Sequence, residues 1–204
     1  SDFDYLILMD GDGEDRPEEI KLLVDKIFRE PNKSVVAKRI KRSEGPMFQM
    51  LYRFHKYLTL IVTGKLVNFG NYSCLTKSDL EILSTKASLW SSYSGSFKHN
   101  IKNYNEVNST RGIRYFGPTQ MSLLKLVIHS LSIIAVFKHR VFFISIFLLA
   151  SLHYLEIFIK FNFLLFQILI VLFNILVLIV SFRENKKKLK NSKIDIASIE
   201  NLTH

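Results

Sequence analysis

Apolar residues change their spacing several times along this chain, and each change marks an element. Residues 5–9, from Tyr5 to Met9, form a short unbroken apolar run, the pattern of a buried strand. After Pro17, with Glu18 and Glu19 in a first turn, apolar side chains return at Ile20, Leu23, Val24, Ile27 and Phe28. That spacing predicts a helix to about Arg29. Residues 34–38 predict a second strand. From Pro46 the positions Met47, Leu51, Phe54, Leu58, Ile61 and Val62 repeat at helical spacing, with Gly64 as the stop. A short helix opens at Thr76. Residues 84–110 are polar and aromatic without a period and read as loop.

Beyond Leu123 the pattern changes character. Residues 123–137 are almost wholly apolar, but Ser122, Lys125, His129 and Ser132 share one face of a helix too short to span a bilayer, so this segment predicts an interfacial helix. Residues 141–161 and 163–182 are each long enough to cross, separated only by Asn162 and its neighbours, and predict a transmembrane hairpin. Glu156 and Lys160, one turn apart, are expected to pair near its tip. The expected organisation is therefore an α/β part over 1–121, the interfacial helix over 122–138, two transmembrane helices within 139–182, and a basic tail over 183–204.

Composition sharpens this picture. The chain has 204 residues, 48% of them hydrophobic, and a formal net charge of +10. Much of that charge flanks the apolar helices: Lys138, His139 and Arg140 before the first, and Arg183, Lys186, Lys187, Lys188 and Lys190 after the second. Basic residues at both outer ends put both ends on the cytoplasmic side, and they suit anionic headgroups better than nucleic acid. The expected location is an integral membrane protein of the plasma or inner membrane. Cys74 is the only cysteine, which rules out an internal disulfide.

Candidate chemistry begins where the first strand stops. Asp10, Asp12, Glu14 and Asp15 fall within six residues, around Gly11 and Gly13. In open α/β sheets the carboxyl edge of the strands is where ligands sit. Hard oxygen ligands on a bendable loop favour Mg2+ or Mn2+, held partly by carboxylates and partly by a substrate's phosphates. The same residues also fit a solvated turn that caps a helix. They do not fit a calcium EF-hand, which needs a preceding helix and a Glu at its twelfth position. Basic residues follow the second strand at Lys38, Arg39, Lys41 and Arg42.

The acidic loop, with Gly13, Glu14, Pro17 and Ile20 behind it, resembles the metal motif of family 2 glycosyltransferases with the GT-A fold. Within that family it is most similar to dolichol-phosphate mannose synthase and the bacterial polyprenyl-phosphate glycosyltransferases, whose usual form is Asp-Ala-Asp-Leu-Gln-Asp-Pro-Pro-Glu. Here Gly stands at 11 and 13, Glu replaces Gln at 14, and Arg replaces Pro at 16. The resemblance continues at Arg39, at the end of a strand, at Arg53 on the following helix, and at Arg114 and Gly117, where Pro118 and Gln120 replace the family's Glu and Lys. Residues 67–76 resemble the family's strand that carries a Gly-Asp-Phe-Arg signature, which here reads Gly70, Asn71, Tyr72, Ser73, without the acid and the Arg.

The resemblance implies an α/β fold, the C-terminal half of a Rossmann-like GT-A domain, followed by the membrane helices. The family's preceding nucleotide-binding βαβ half has no counterpart in the sequence, so a fragment or a truncated product is expected. It implies a metal-dependent inverting glycosyltransferase that moves a sugar from a nucleotide-sugar donor to a polyprenyl phosphate. Asp10 and Asp12 would be catalytic, Asp10 would bind the donor, Asp12 and Glu14 would hold the metal, and Arg39, Arg53 and Arg114 would bind the acceptor phosphate. Two other classes stay open: a hydroxyl-acceptor glycosyltransferase, and an inactive remnant acting as a membrane interaction module. The hydroxyl acceptor needs a general base, and residues 84–105 contain no Asp or Glu. Homo-oligomerisation is left open.

Overall fold

In the computed structural model of the chain, residues 3–41, 46–115 and 122–192 are described. Arg42, Gly117, Pro118, Gln120, the side chains at 47 and 51, and the tail beyond 192 lie outside the described residues.

Four strands form one mixed sheet. β1 (Tyr5–Leu8), β2 (Val35–Lys41), β3 (Phe69–Thr76) and β4 (Asn105–Thr110) lie in the order β1-β3-β2-β4. β3 runs antiparallel to both β1 and β2, while β2 and β4 are parallel. It follows that β1, β2 and β4 all point the same way, and the segments leaving their carboxyl ends share one edge of the sheet. The amino end of β3 lies at that same edge.

Side chains alternate between the two faces of the sheet, as the period of two requires. On one face Val35, Ala37, Tyr72, Cys74 and Val107 meet Leu23 and Ile27 of α1 (Ile20–Arg29), which a 3-10 turn over Pro17–Glu19 introduces. On the other face Val36, Phe69 and Leu75 meet Leu83 of α3 (Lys77–Ser84) and the fully buried Phe97. Lys26 and Lys33 both donate to Glu30 just past α1, at 2.6 and 2.7 Å, and so pin the turn into β2.

Residues 84–110 correct the expectation of a loop. They form two short helices, α4 (Ser88–Ser91) and α5 (Tyr93–Asn100), and then β4. The apolar period is hidden because serines take the inward positions of α5. Ser94 and Ser96 are buried, and Ser92 caps the helix by accepting from the Gly95 N–H. Phe97 anchors the segment between the rings of Phe69 and Tyr104, at centroid distances of 5.4 and 5.1 Å. β4 has one neighbour and contributes only Val107 to the core, so its sequence carries little apolar alternation.

A third cluster lies outside the sheet. α2 (Pro46–Thr63), α6 (Leu123–Ala135), α7 (Lys138–Ile159) and α8 (Leu164–Ser181) meet around Val62, Ile134, Phe137, Val141 and Val177. α7 and α8 are long and apolar enough to cross a membrane, and are about 33 and 27 Å long at 1.5 Å per residue. Lys138 at the start of α7 donates to Glu184, beyond the end of α8, at 2.7 Å, which ties the hairpin's foot. α9 (Lys186–Asn191) follows, capped by Asn185. At the tip Lys160 adopts φ 51° and ends α7. The expected Glu156–Lys160 pair does not form there. Glu156 instead accepts from the Phe163 N–H at 2.8 Å and so helps start α8. α6 departs from its expected polar stripe at Ser132, which is buried, donates to the Ile128 carbonyl and accepts from Arg183 at 3.4 Å.

Candidate functional site

Strand direction gathers most of the predicted residues. The acidic loop leaves β1, Arg39 lies near the end of β2, Arg111 and Arg114 follow β4, and Asn71 is near the start of β3. All of them sit at the one sheet edge.

Asp15 organises the loop. It is 4% exposed, and its Oδ2 accepts from the Asp10 N–H at 3.0 Å, folding the loop back on the strand that delivered it. Burial pushes its carboxyl above the usual aspartate value; the Asp10 N–H and Arg39, whose guanidinium lies 3.8 Å away, act in the opposite direction. Arg39 lies across Gly70. A Cβ there would come within 2.6 Å of its guanidinium nitrogen, so the absence of a side chain at 70 lets Arg39 reach in. On the other side, Asn71 donates from Nδ2 to Asp10 Oδ1 at 3.0 Å. Asp12 accepts from the Glu14 N–H at 3.0 Å, a local turn that Gly13 permits at φ 89°.

The segment after β4 is strapped over this loop. The Gly112 N–H donates to the Glu14 carbonyl and the Tyr115 N–H to the Asp12 carbonyl, both at 2.9 Å. The Tyr115 ring covers Gly13, where a Cβ would meet it at 2.8 Å. Gly112 in turn is the only residue type that fits against the Gly13 carbonyl. Arg114 bridges Glu14 Oε1 at 2.8 Å and Asp12 Oδ2 at 3.3 Å, and Arg111 pairs with Glu14 Oε2. The hydrogen bond to Glu14 raises the pKa of the Arg114 guanidinium above its ordinary value.

Among the described residues, no group of three His, Cys, Asp or Glu side chains is arranged to hold a metal. The donor set is smaller: Asp12, which is 39% exposed at its side chain, and the neighbouring Glu14. Two carboxylates fit the usual protein share of a Mg2+ or Mn2+ site completed by phosphate oxygens. In the arrangement described, arginines supply the positive charge these carboxylates face.

Arg53 stands apart from the group. It is exposed on α2, which packs chiefly against α6 and α7. Three contributors escaped the sequence reading: Asp15 as the hub, Asn71 as the bracket on Asp10, and Arg111 as the second arginine on Glu14. Arg111 had a signal, since it stands three residues before Arg114. A separate open concavity lined by Lys65, Lys98, Ile101, Lys102, Tyr104 and Glu106 contains none of these residues.

No protein-family model, curated protein or solved structure matches this chain.

Proposed function

We propose that the chain supplies the acidic loop, the acceptor-binding arginines and the membrane anchor of a metal-dependent glycosyltransferase of the family 2 type, which transfers a sugar from a nucleotide-diphosphate donor to a polyprenyl phosphate. The observation that carries this reading is the juxtaposition, at one sheet edge, of the Asp10, Asp12 and Glu14 loop with Arg39 and Arg114, in a chain that also holds a hairpin long enough to cross a bilayer. Positive residues at both feet of that hairpin favour a cytoplasmic site.

In this mechanism an oxygen of the lipid phosphate attacks the anomeric carbon, the bond from that carbon to the diphosphate oxygen breaks, and the configuration inverts. The phosphate is already an anion at neutral pH, so no protein group has to take a proton. Asp12 and Glu14 would hold the cation, which when bound neutralises charge on the departing diphosphate. Asp10, fixed by Asn71 and by its own N–H on Asp15, orients the donor. Arg39 and Arg114 offer planar forks that match phosphate oxygens, and Arg53 contributes positive charge from the membrane side. A general acid or base is not required.

A second reading has its own support. Arginines take both oxygens of Glu14, as they would in a loop that is merely stapled shut, and this favours a membrane module without catalysis. Steady-state assays of the native protein in lipid separate the two. Arg39→Lys and Arg114→Lys should each raise the KM for polyprenyl phosphate about tenfold, about 1.4 kcal/mol, with the donor KM nearly unchanged. Equal loss for the donor would move these arginines to the donor side, and a protein with no transfer at all would be the module.

A further inference from the structure

α2 turns the wrong side inward for a helix of a water-soluble domain. Met50, Phe54, Tyr57 and Ile61 are spaced four, three and four residues apart, so at about 100° per residue they share an arc of about 60°. Each is 62–66% exposed. The side that packs is carried instead by Thr59 and Thr63, both buried, with Val62 and Leu58. Thr63 makes this possible by donating to the Thr59 carbonyl at 2.6 Å, which removes its hydroxyl from the list of unsatisfied groups. Arg53, exposed, lies along one flank of the apolar stripe, about 40° from Tyr57, whereas half-buried Lys56 lies nearer the packed side.

The position of α2 says what covers the stripe. Its last turns pack on Val141 and the other residues at the foot of the hairpin, and Arg140, in the first turn of α7, lies against Gly64 at the end of α2. One turn further along α7 the lipid-length apolar surface begins, with Phe143, Ile146 and Phe147 each at least 66% exposed. α6 packs beside α2 and exposes Leu123, Leu124 and Val127. The exposed apolar surface of α2 therefore begins where that of the hairpin begins, with Arg53 on its flank and Arg140 at its end.

We propose that α2 is a second interfacial helix. It lies in the membrane–water boundary, with Met50, Phe54, Tyr57 and Ile61 inserted between headgroup and acyl chain and Arg53 among anionic headgroups. The occupant of this face is the bilayer surface. With α6 and the hairpin foot, α2 makes a third support that fixes the height of the sheet edge above the lipid. The inference rests on the reading that α7 and α8 span.

The test uses the whole chain in nanodiscs of phosphatidylcholine with a minority of phosphatidylglycerol. An environment-sensitive fluorophore is placed on single cysteines at Phe54→Cys and Ile61→Cys, at Phe147→Cys on α7 as a deep reference, and at Lys21→Cys on α1 as an aqueous one; buried Cys74 is changed to Ala. Labels at 54 and 61 should lose about half their emission to lipids carrying a nitroxide near the top of the chain and be several-fold less open to iodide than the label at 21. The label at 147 should respond most to a nitroxide near the chain end. Iodide access at 54 and 61 equal to that at 21, with 147 in lipid, overturns the inference and leaves the hairpin standing. Labels at 54 and 61 that are shielded yet insensitive to nitroxide lipid, and that transfer energy between chains, assign the face to a second copy and also overturn it. A label at 147 outside lipid removes both the inference and the spanning hairpin.

Discussion

Asp10 is held from two directions, by its own N–H on Asp15 and by Asn71 on one carboxylate oxygen, so its position does not depend on ligand. Asn71 is exposed enough that its loss costs the fold little. We expect Asn71→Ala to change stability by less than about 1 kcal/mol, the net worth of an ordinary hydrogen bond. Transfer should nonetheless fall about tenfold, corresponding to about 1.4 kcal/mol in the barrier. Chemical denaturation and single-turnover transfer measured on the same sample separate the two effects. Glu30 offers a pH test of a different kind. Hydrogen bonds from Lys26 and then Lys33 push its carboxyl down from 4.5 to about 2 in the folded chain. A lowered folded value means the stabilisation is complete above pH 4.5 and is lost as pH falls toward 2. Glu30→Gln should therefore melt below the wild type at pH 6, and the gap should close between pH 4.5 and 2 in melting curves. The acids of the loop and Arg39 were legible from their place after predicted strands, and Arg114 only through the resemblance. Asp15 and Asn71 were not, because nothing local in a sequence says which of four clustered acids folds inward or which amide crosses from a strand 61 residues away.

At the scale of elements, the acidic loop and the strap after β4 form one unit, joined by two backbone hydrogen bonds and by Arg111 and Arg114. Gly112 is its closest point. A β-carbon there would drive into the Gly13 carbonyl and meet Arg16 Cγ at 3.0 Å. Gly112→Val is expected to lift the strap and destabilise the chain by about 1–3 kcal/mol, the usual cost of overpacking. Both strap arginines are trypsin sites, so cleavage after Arg111 and Arg114 in the folded protein should accelerate markedly in the variant. Unchanged cleavage would mean the strap is already open in solution. Periodicity located β1, α1, β2, α2 and both hairpin helices to within a few residues, because each has a clear apolar period or run, while β3 was placed only through the resemblance. It failed over 84–110, where buried serines stand in for apolar residues and an edge strand needs only Val107. Along α2 it found the apolar repeat but not the side that is covered: Phe54 and Ile61 are exposed, whereas Thr59 and Thr63 are buried. A period reports that residues share a face, and the surroundings decide which face is wet.

For the whole molecule, a three-layer α/β/α unit and a helical hairpin meet at a shared foot built from Val62, Phe137, Val141 and Val177 and closed by Lys138 and Glu184. This arrangement joins a unit with a charged sheet edge to membrane-length helices in one chain, which is the physical basis for proposing a substrate with a polar head and a lipid tail. The central claim is that the acids of the β1 loop serve transfer of a sugar to that lipid. The direct measurement is mass spectrometry of lipid products after native protein in nanodiscs is incubated with polyprenyl phosphate, Mn2+ and a panel of nucleotide-sugars, alongside Asp12→Asn. The account predicts a polyprenyl-phosphate sugar from at least one donor, its loss by about a hundredfold or more in Asp12→Asn and in excess chelator, and melting of the variant close to wild type, since an exposed loop contributes little packing. Product formed equally by Asp12→Asn or in chelator, or no product from any donor, would contradict it.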